Sequence, residues 1–303
     1  MRVTIAAAGT RTGAATIQSL IKKETANTEI YTCYRNLAKV PDAFKEYPGF
    51  HAVQADVNDK SSLDFAGSHS VLAMTPPVFE NSHEQSRTVC TNIKEAVEKS
   101  GTVKRLILLS SKGAEFESGV GEIHTNHLAE QTLKDTNVEE LLFVRPCYFM
   151  DNWTEMTETL QGDEPFFMSS ITPIDYKFPM VANQDIGTAL AMGLTSSYAP
   201  PKKPYIFELH GPEDYSPADV QAAFAAALGK PVKIQPIEKA DLAGFFSEFL
   251  PPNVVPSYVE MTESILPDGR IGESASSSEN GPDIVRGKTS LNDAMKHALA
   301  GTV

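Results

Sequence analysis

The first half of the chain alternates between short apolar runs and segments whose apolar residues recur every three or four positions. Apolar runs of this length predict strands, and a spacing of about 3.6 residues predicts helices. Strands are predicted at residues 3–8, 29–34, 50–54, 70–74, 103–111 and 141–144, and helices at 14–23, 81–100 and 124–134. This alternation predicts an α/β fold built on a doubly wound parallel sheet.

The alternation weakens after about residue 152. Further helices are predicted at 185–194, 220–228, 241–250 and 290–299, and a strand at 205–209. Ser216 and Pro217 are typical of a helix start, and Gly229 of a helix stop. We therefore predict a domain at 1–152, to which segments at about 175–210 return, and a smaller region at 153–303. Residues 267–282 are rich in Gly, Ser, Asp and Glu, so we expect an exposed, mobile loop there.

Charge and composition narrow the classes of function. The 303 residues carry a net charge of −13, which disfavours binding to nucleic acid. No apolar run approaches the roughly 20 residues that cross a bilayer, and no signal peptide precedes the first strand, so we expect a cytoplasmic protein that does not bind membranes. Cys33, Cys90 and Cys147 show neither a disulfide framework nor metal-ligand spacing, and no metal site is expected.

The turn after the first strand is the first candidate site. Gly13 opens the first helix, and pyrophosphate binds at such helix N-termini in dinucleotide-binding folds. If Gly13 is the last position of a GxxGxxG turn, the two earlier positions are Ala7 and Thr10. Gly9, Gly13 and Ala15 offer another register, GxxxGxA, which starts the helix two residues late. The phase of the helix favours the first register.

The ends of the following strands suggest which dinucleotide binds. Arg35 follows the second strand, where Arg suits the 2′-phosphate of NADP and an acidic residue would suit NAD. Asp56 follows the third strand, where it binds adenine or caps its own turn. The expected NADP(H) contacts are Ala8, Gly9, Thr10, Arg11, Thr12, Gly13, Arg35, Asn36, Lys39, Asp56, Val57, Thr75, Pro76, Ser110 and Pro146.

Nine stretches, taken in order, resemble the NmrA-like group of atypical short-chain dehydrogenases/reductases. They are AAAGTRTGAATIQSL, YRNLAK, ADVNDKSSL, LILLSS, HLAEQTL, RPCYFMDNW, NQDIGTALA, LHGPEDYSPADVQAAFAAALGKPV and RGKTSLNDAM. The resemblance covers nearly the whole chain. It implies a Rossmann domain, a smaller and mostly C-terminal substrate domain, and NADP as the ligand. Members include reductases of quinones, phenylpropanoids and secondary metabolites, and regulators that bind the dinucleotide without turnover.

The chain departs from this group at two sites. Ala7 and Thr10 stand where the family usually has glycine. The Tyr and Lys positions of the YxxxK motif, counted back from Glu130, fall on Glu122 and Asn126, which cannot do the usual acid–base work. The open candidates for proton donor are His124, His127, Glu122 and Lys112, with Tyr148 as a further one.

Three functions remain open from the sequence. The first is an NADPH-dependent oxidoreductase that reduces a small apolar or aromatic carbonyl or enone, of the quinone or secondary-metabolite type. Its substrate pocket is expected to include Tyr148, Phe149, Met150, Trp153, Phe178 and Met180. The second is an NADP-binding regulator without turnover, and the third is a non-redox isomerase or cyclase. The expected partner is a small-molecule substrate, and the expected oligomeric state is a monomer or a homodimer.

Overall fold

The computed structural model describes residues 1–23, 28–155, 157–274 and 281–300. The strands are β1 Arg2–Ile5, β2 Glu29–Tyr34, β3 Phe50–Gln54, β4 Ser70–Ala73, β5 Arg105–Leu109, β6 Glu140–Pro146, β7 Tyr148–Phe149, β8 Phe166–Ser169, β9 Phe178–Val181, β10 Tyr205–His210, β11 Asp214–Tyr215, β12 Lys233–Pro236 and β13 Asp283–Arg286. The helices are α1 Arg11–Lys22, α2 Asp42–Lys45, α3 Ser82–Ser100, α4 His124–Leu133, α5 Asn183–Thr195, α6 Pro217–Leu228, α7 Leu242–Ser247, α8 Val255–Ile265, α9 Arg270–Ser274 and α10 Leu291–Ala300.

Eight strands form the central sheet in the order β13-β10-β6-β5-β4-β1-β2-β3. From β3 to β6 every neighbouring pair is parallel. The order β3-β2-β1-β4-β5-β6 is that of a Rossmann fold, in which the chain reverses direction across the sheet between β1 and β4. The predicted fold class is confirmed, and ligands in such sheets bind beyond the carboxyl ends of the strands at this reversal.

The chain divides into two compact units. The first comprises Met1–Ala114, Thr125–Arg145 and Asn183–Phe207. Within it, β4 is buried at every residue, as expected for a central parallel strand. Helix α5 packs closely on α1, because a Cβ at Gly187 would lie 2.5 Å from the carbonyl carbon of Ala15. Residues distant in sequence therefore build one structural unit.

The second unit comprises Glu115–His124, Pro146–Ala182 and Glu208–Val303. It contains two small sheets, β11-β9-β7 and β12-β8. Its main apolar core includes Met150, Phe178, Phe224 and Met295. Helix α6 begins as predicted: Ser216 forms a capping box with Asp219. Whether the two units divide cofactor and substrate binding between them stays a prediction.

The predicted loop at 267–282 is wrong in its first part. Arg270–Ser274 form α9, and Ile271 is buried. A Cβ at Gly269 would lie 2.1 Å from the carbonyl oxygen of Glu263, and one at Gly272 would lie 2.1 Å from that of Leu266. The glycines suggested flexibility, but they permit close packing of the chain against the end of α8. Residues 275–280 of the predicted loop lie outside the described residues.

Other predicted boundaries were too long. The first strand ends at Ile5, because residues 6–9 form a turn, and the strand predicted at 103–111 is limited to Arg105–Leu109. The helix predicted at 241–250 is limited to α7 after one 3-10 turn, Lys239–Asp241. Helix α8 and strand β13 were not predicted. No helix in the described part of the chain has the length and apolar character needed to span a bilayer.

Candidate cofactor and active site

The turn between β1 and α1 contains a left-handed residue, Ala7, with φ 60°. This conformation brings the Cβ of an L-residue close to its own backbone and costs roughly 1–2 kcal/mol, which glycine avoids. The family resemblance places glycine at this position. Ala7 is therefore a strained residue at the edge of the candidate site.

Gly13 is required by the packing of α1 against the end of β1. A Cβ at this residue would lie 2.5 Å from the carbonyl oxygen of Ala8, which is shorter than any van der Waals contact allows. This close approach favours the register in which Gly13 is the last glycine position of the turn. The other expected glycine, Gly9, is less crowded: its Cβ would lie 3.6 Å from the Tyr34 ring.

Thr10 is the N-cap of α1. Its hydroxyl oxygen accepts a hydrogen bond from the Gly13 N–H at 2.9 Å. The same hydroxyl donates to the sulfur of Met74 at 3.6 Å. One N–H group at the helix N-terminus, where an anion would bind, is therefore already satisfied by the chain itself.

A cavity of about 380 Å³ lies beside this turn in the first unit. It is lined by Ala7, Gly9, Thr10, Cys33, Tyr34, Arg35, Asn36, Lys39, Ala55, Val57 and Pro76. Arg35 and Lys39 are exposed, and they give this cavity two cations. The side-chain oxygen of Asn36 accepts from the Ala38 N–H at 2.9 Å and caps the 3-10 turn Leu37–Lys39. The cap fixes the start of the turn that ends at Lys39.

Seven of the predicted cofactor contacts line this cavity: Gly9, Thr10, Arg35, Asn36, Lys39, Val57 and Pro76. The other eight do not: Ala8, Arg11, Thr12, Gly13, Asp56, Thr75, Ser110 and Pro146. Ala8 is fully buried, Arg11 is the exposed first residue of α1, Thr75 follows β4 and Pro146 ends β6. Their role in cofactor binding stays a prediction.

The side chains of Thr12 and Asp56 are engaged in local structure. The Thr12 hydroxyl donates to the side chain of Asn183 at 2.9 Å, which ties α1 to the start of α5. Asp56 accepts from the backbone and side-chain N–H groups of Asn58, both at 3.0 Å. Asp56 thus caps its own turn, as one of the two sequence interpretations proposed.

Ser110 belongs to a buried polar network. Its hydroxyl donates to Glu130 of α4 at 2.6 Å. Glu130 also accepts two hydrogen bonds from Arg145 of β6, at 2.8 and 2.7 Å. All three residues are at most 5% exposed. This network fixes α4 to the ends of β5 and β6, so Ser110 has a structural partner in addition to its predicted role.

Two of the candidate proton donors are buried in the first unit. Lys112 is 7% exposed and His127 is 8% exposed. His127 Nδ1 lies 2.9 Å from the carbonyl oxygen of Ala114. Since a carbonyl only accepts, Nδ1 carries a proton and donates it in this hydrogen bond.

The other two donor candidates, Glu122 and His124, are half-buried residues of the second unit. Glu122 lies in the 3-10 turn Gly121–Ile123 and accepts a hydrogen bond from the Ser257 hydroxyl of α8. Gly121, with φ 51°, permits this contact, because a Cβ there would lie 1.9 Å from the Ser257 carbonyl oxygen. The position that the YxxxK motif gives to Tyr therefore holds a hydrogen-bonded carboxylate.

Two phenols of the second unit share one acidic neighbour. Burial and the charge of Glu155 raise the pKa of Tyr148 above its ordinary value. Burial raises the pKa of Tyr258, and the charges of Glu122 and Glu155 add to the effect. Both phenols hold their protons at neutral pH. Tyr258 was missed in the sequence, since no strand end or motif marks it.

The predicted substrate-pocket residues come together in the second unit. Met150, Trp153, Phe178 and Met180 are at most 7% exposed, whereas Tyr148 and Phe149 are half-buried. The Tyr148 ring packs on Trp153 and Phe178, with centroids 5.6 and 5.4 Å apart. These contacts make the cluster a packed apolar core, and its role as the wall of a substrate pocket stays a prediction.

Comparison of the sequence with models of protein families gives a result that agrees with the Rossmann fold described above. The model of the NmrA-like family matches residues 1–281. The chain belongs to the NmrA-like family. A comparison with curated proteins gave no match.

Solved structures similar to this NmrA-like protein cover nearly all of it. The NADPH-dependent quinone oxidoreductase QOR2 of Escherichia coli, complexed with NADPH, is 20% identical with a TM-score of 0.73, over 98% of this chain and 99% of that one. The triphenylmethane reductase of Citrobacter sp., complexed with NADP(H), is 19% identical with a TM-score of 0.73, over 98% and 99%. Leucoanthocyanidin reductase of Vitis vinifera, in a binary complex with NADPH, is 15% identical with a TM-score of 0.71, over 99% and 100%. At these identities the similarity shows a common fold.

The cavity of this NmrA-like protein includes three residues that sequence reasoning missed: Cys33, Tyr34 and Ala55. It also includes Ala7, which the sequence marked only as a position of the turn. Cys33 and Tyr34 end β2, and Ala55 follows β3. The strand ends that drew attention to Arg35 and Asp56 therefore also carry residues of the cavity wall. The sequence did not show which residue at each strand end faces the cavity.

Proposed function

We propose that this NmrA-like protein binds NADP(H) with its 2′-phosphate at Arg35 and Lys39. The observation that carries the proposal is the cavity beside the β1–α1 turn, which has two exposed cations at the end of β2. Its volume of about 380 Å³ is in the usual range for ligand sites. Arg and Lys bind phosphate through charge-assisted hydrogen bonds, and neither side chain offers an acceptor to the ribose hydroxyls of NAD.

The reaction that fits this site is reduction of a small apolar or aromatic carbonyl or enone, of the quinone type. When bound, NADPH would supply a hydride, which is one proton with two electrons, to the substrate. The three similar structures named above are of a quinone oxidoreductase and two reductases, two of them in complex with NADPH and one with NADP(H). The apolar residues Tyr148, Phe149 and Trp153 are proposed to exclude water from the substrate.

The product of such a reduction also needs a proton. We propose Glu122 or His124 for this role, because both are half-buried and not enclosed in the core. Lys112 and His127 are almost fully buried, and His127 Nδ1 is held by the Ala114 carbonyl. The contact of Glu122 with the Ser257 hydroxyl keeps the carboxyl group in one orientation.

Two observations favour a second function, an NADP-binding protein without turnover. Glu122 and Asn126 occupy the motif positions where the related dehydrogenases carry Tyr and Lys. In addition, the Gly13 N–H at the N-terminus of α1, where a phosphate would bind, already donates a hydrogen bond to the Thr10 hydroxyl. Both features are compatible with cofactor binding that leads to no reaction.

Cofactor binding is tested by titrating the protein with NADPH and NADH and following nicotinamide fluorescence. Arg35→Glu replaces a charge-assisted hydrogen bond by repulsion, so we expect NADPH binding to weaken about 10- to 100-fold and NADH binding to change less than about 3-fold. Lys99→Glu makes a similar charge change in the last turn of α3, outside the cavity, and serves as the control. Equal weakening of NADPH and NADH would exclude the assignment of Arg35.

Turnover is tested by following NADPH absorbance with a panel of quinones and enones. A reductase consumes NADPH steadily, and Glu122→Gln or His124→Gln then lowers kcat without changing the Kd of NADPH. NADPH binding without consumption with any member of the panel supports the second function. The absence of NADPH binding at high micromolar concentrations would exclude both.

A further inference from the structure

Three potential metal ligands meet in the second unit, apart from the cofactor cavity. Cys147, Glu208 and His210 each offer a ligand atom, and these atoms all lie within 4.8 Å of one another. The residues are 3%, 6% and 7% exposed. Within residues 1–23, 28–155, 157–274 and 281–300, no other three such side chains bring their ligand atoms this close together.

The backbone holds the three residues in register. Glu208 and His210 are two positions apart in β10, so their side chains leave the strand on the same face. The Cys147 N–H donates to the carbonyl of Leu209 between them, at 3.0 Å. The His210 carbonyl accepts from the Gly287 N–H at 2.7 Å, which fixes the other side of the strand end. The ligand set is therefore attached to hydrogen-bonded backbone.

The donor types suit one class of ion. A thiolate, an imidazole and a carboxylate together are typical ligands of Zn²⁺, and hard ions such as Mg²⁺ avoid sulfur. In a tetrahedral zinc site neighbouring ligand atoms lie about 3.3–3.7 Å apart, as follows from bond lengths of about 2.0–2.3 Å. His210 Nε2 and Glu208 Oε2 are hydrogen-bonded at 2.8 Å. Binding of one ion by both atoms therefore requires them to move apart by roughly half an ångström.

Charge balance supports the same ion. A thiolate and a carboxylate carry two negative charges, which a divalent cation neutralises while the imidazole stays neutral. The site is buried, so an uncompensated charge would be costly there. Three protein ligands leave a fourth position of a tetrahedral ion for water or another small ligand.

We propose that Cys147, Glu208 and His210 form a binding site for one Zn²⁺ ion. The proposal is independent of the proposed reductase function, since it uses none of the residues that line the cofactor cavity. Cys147 and His210 lie far apart in sequence, and only the adjacent ends of β6 and β10 bring them together.

The test measures metal binding by the full-length protein. Zinc is removed by a chelator and the protein is titrated with Co²⁺, which shows a thiolate-to-cobalt charge-transfer band in the near ultraviolet when cysteine is a ligand. Zn²⁺ affinity is then measured in competition with a fluorescent chelator. We expect one ion per chain and a charge-transfer band that Zn²⁺ abolishes.

Variants assign the ion to the cluster. Cys147→Ser and His210→Gln are each expected to weaken Zn²⁺ binding at least about 10- to 100-fold, the effect typical of changes at a metal site. Cys90→Ser changes a buried cysteine of α3 outside the cluster and should leave binding unchanged. Circular dichroism confirms that each variant is folded. If a cluster variant does not fold, the wild-type cobalt spectrum decides alone: absence of the charge-transfer band overturns the proposal. Equal loss of binding in Cys90→Ser also overturns it.

Discussion

Gly13 and Ala7 belong to the same turn. The absence of a Cβ at Gly13 and its presence at Ala7 have different consequences. At Gly13 the backbone of Ala8 fills the place of a side chain. At Ala7 a side chain is present although φ is 60°. The turn therefore has glycine where packing requires it, and alanine where only the backbone conformation favours glycine. Strain at Ala7 is tolerable, whereas an overlap at residue 13 forces α1 to move.

The overlap predicts the effect of Gly13→Ala. The added methyl group would lie 2.5 Å from the Ala8 carbonyl oxygen, so α1 has to shift away from β1. We expect the free energy of unfolding to fall by about 1–3 kcal/mol, the usual cost of overpacking, when measured by urea denaturation. Gly162→Ala is the control, since no atom lies within 4 Å of the added Cβ. An equal effect of the two substitutions would contradict the packing argument.

Helix α4 is positioned by one buried carboxylate. Glu130 of α4 pairs with Arg145 of β6 and accepts from Ser110 after β5. The two positions of the YxxxK motif lie in the 3-10 turn before this helix, at Glu122, and in its first turn, at Asn126. The helix is therefore attached to the sheet through buried charges although neither motif position carries the Tyr or Lys of the motif.

Removal of the charge on Glu130 tests this attachment. Glu130→Gln removes the carboxylate charge that faces the buried Arg145, so we expect a loss of about 3–5 kcal/mol in unfolding free energy. The control is Glu164→Gln, which breaks the exposed pair of Glu164 with Lys233 and should leave stability unchanged within error. Urea denaturation of both variants gives the comparison. A neutral effect of Glu130→Gln would show that the pair does not hold α4.

At the scale of the whole molecule, buried thiols make the stability of the fold depend on pH. Burial raises the pKa of Cys33 from 9.0 to about 11 and that of Cys90 to about 12. In the unfolded chain both thiols ionise near their ordinary value. Between these values the native state binds more protons than the unfolded state, so stability decreases as pH rises.

The expected loss is about 1 kcal/mol per thiol between about pH 8 and pH 10, since one pKa unit corresponds to about 1.4 kcal/mol. Tyr34, whose pKa burial raises from 10.0 to about 12, adds to the loss only at higher pH. Urea denaturation across this pH range should show a shallower decline for the double variant Cys33→Ala/Cys90→Ala than for the wild type. Parallel pH profiles would rule out the thiols as the cause.

The sequence by itself determined the order of strands and helices in the first half of the chain. The apolar runs are long enough to mark buried strands, and Gly13, Ser216 and Gly229 mark helix ends through local backbone chemistry. The ends of β2 and β3 also pointed to the cavity, because carboxyl ends of parallel strands lie at one edge of a sheet. The family resemblance depended on the same local stretches.

Only the tertiary structure decided what depends on contacts between distant segments. Sequence pattern does not show that α5 packs on α1, that the glycines at 269 and 272 permit close packing, or that Ser110 pairs with Glu130. The Cys147, Glu208 and His210 cluster has no ligand spacing along the chain, because two separate strand ends supply it. Local propensity is recorded in neighbouring residues, whereas a site is made by side chains that only folding brings together.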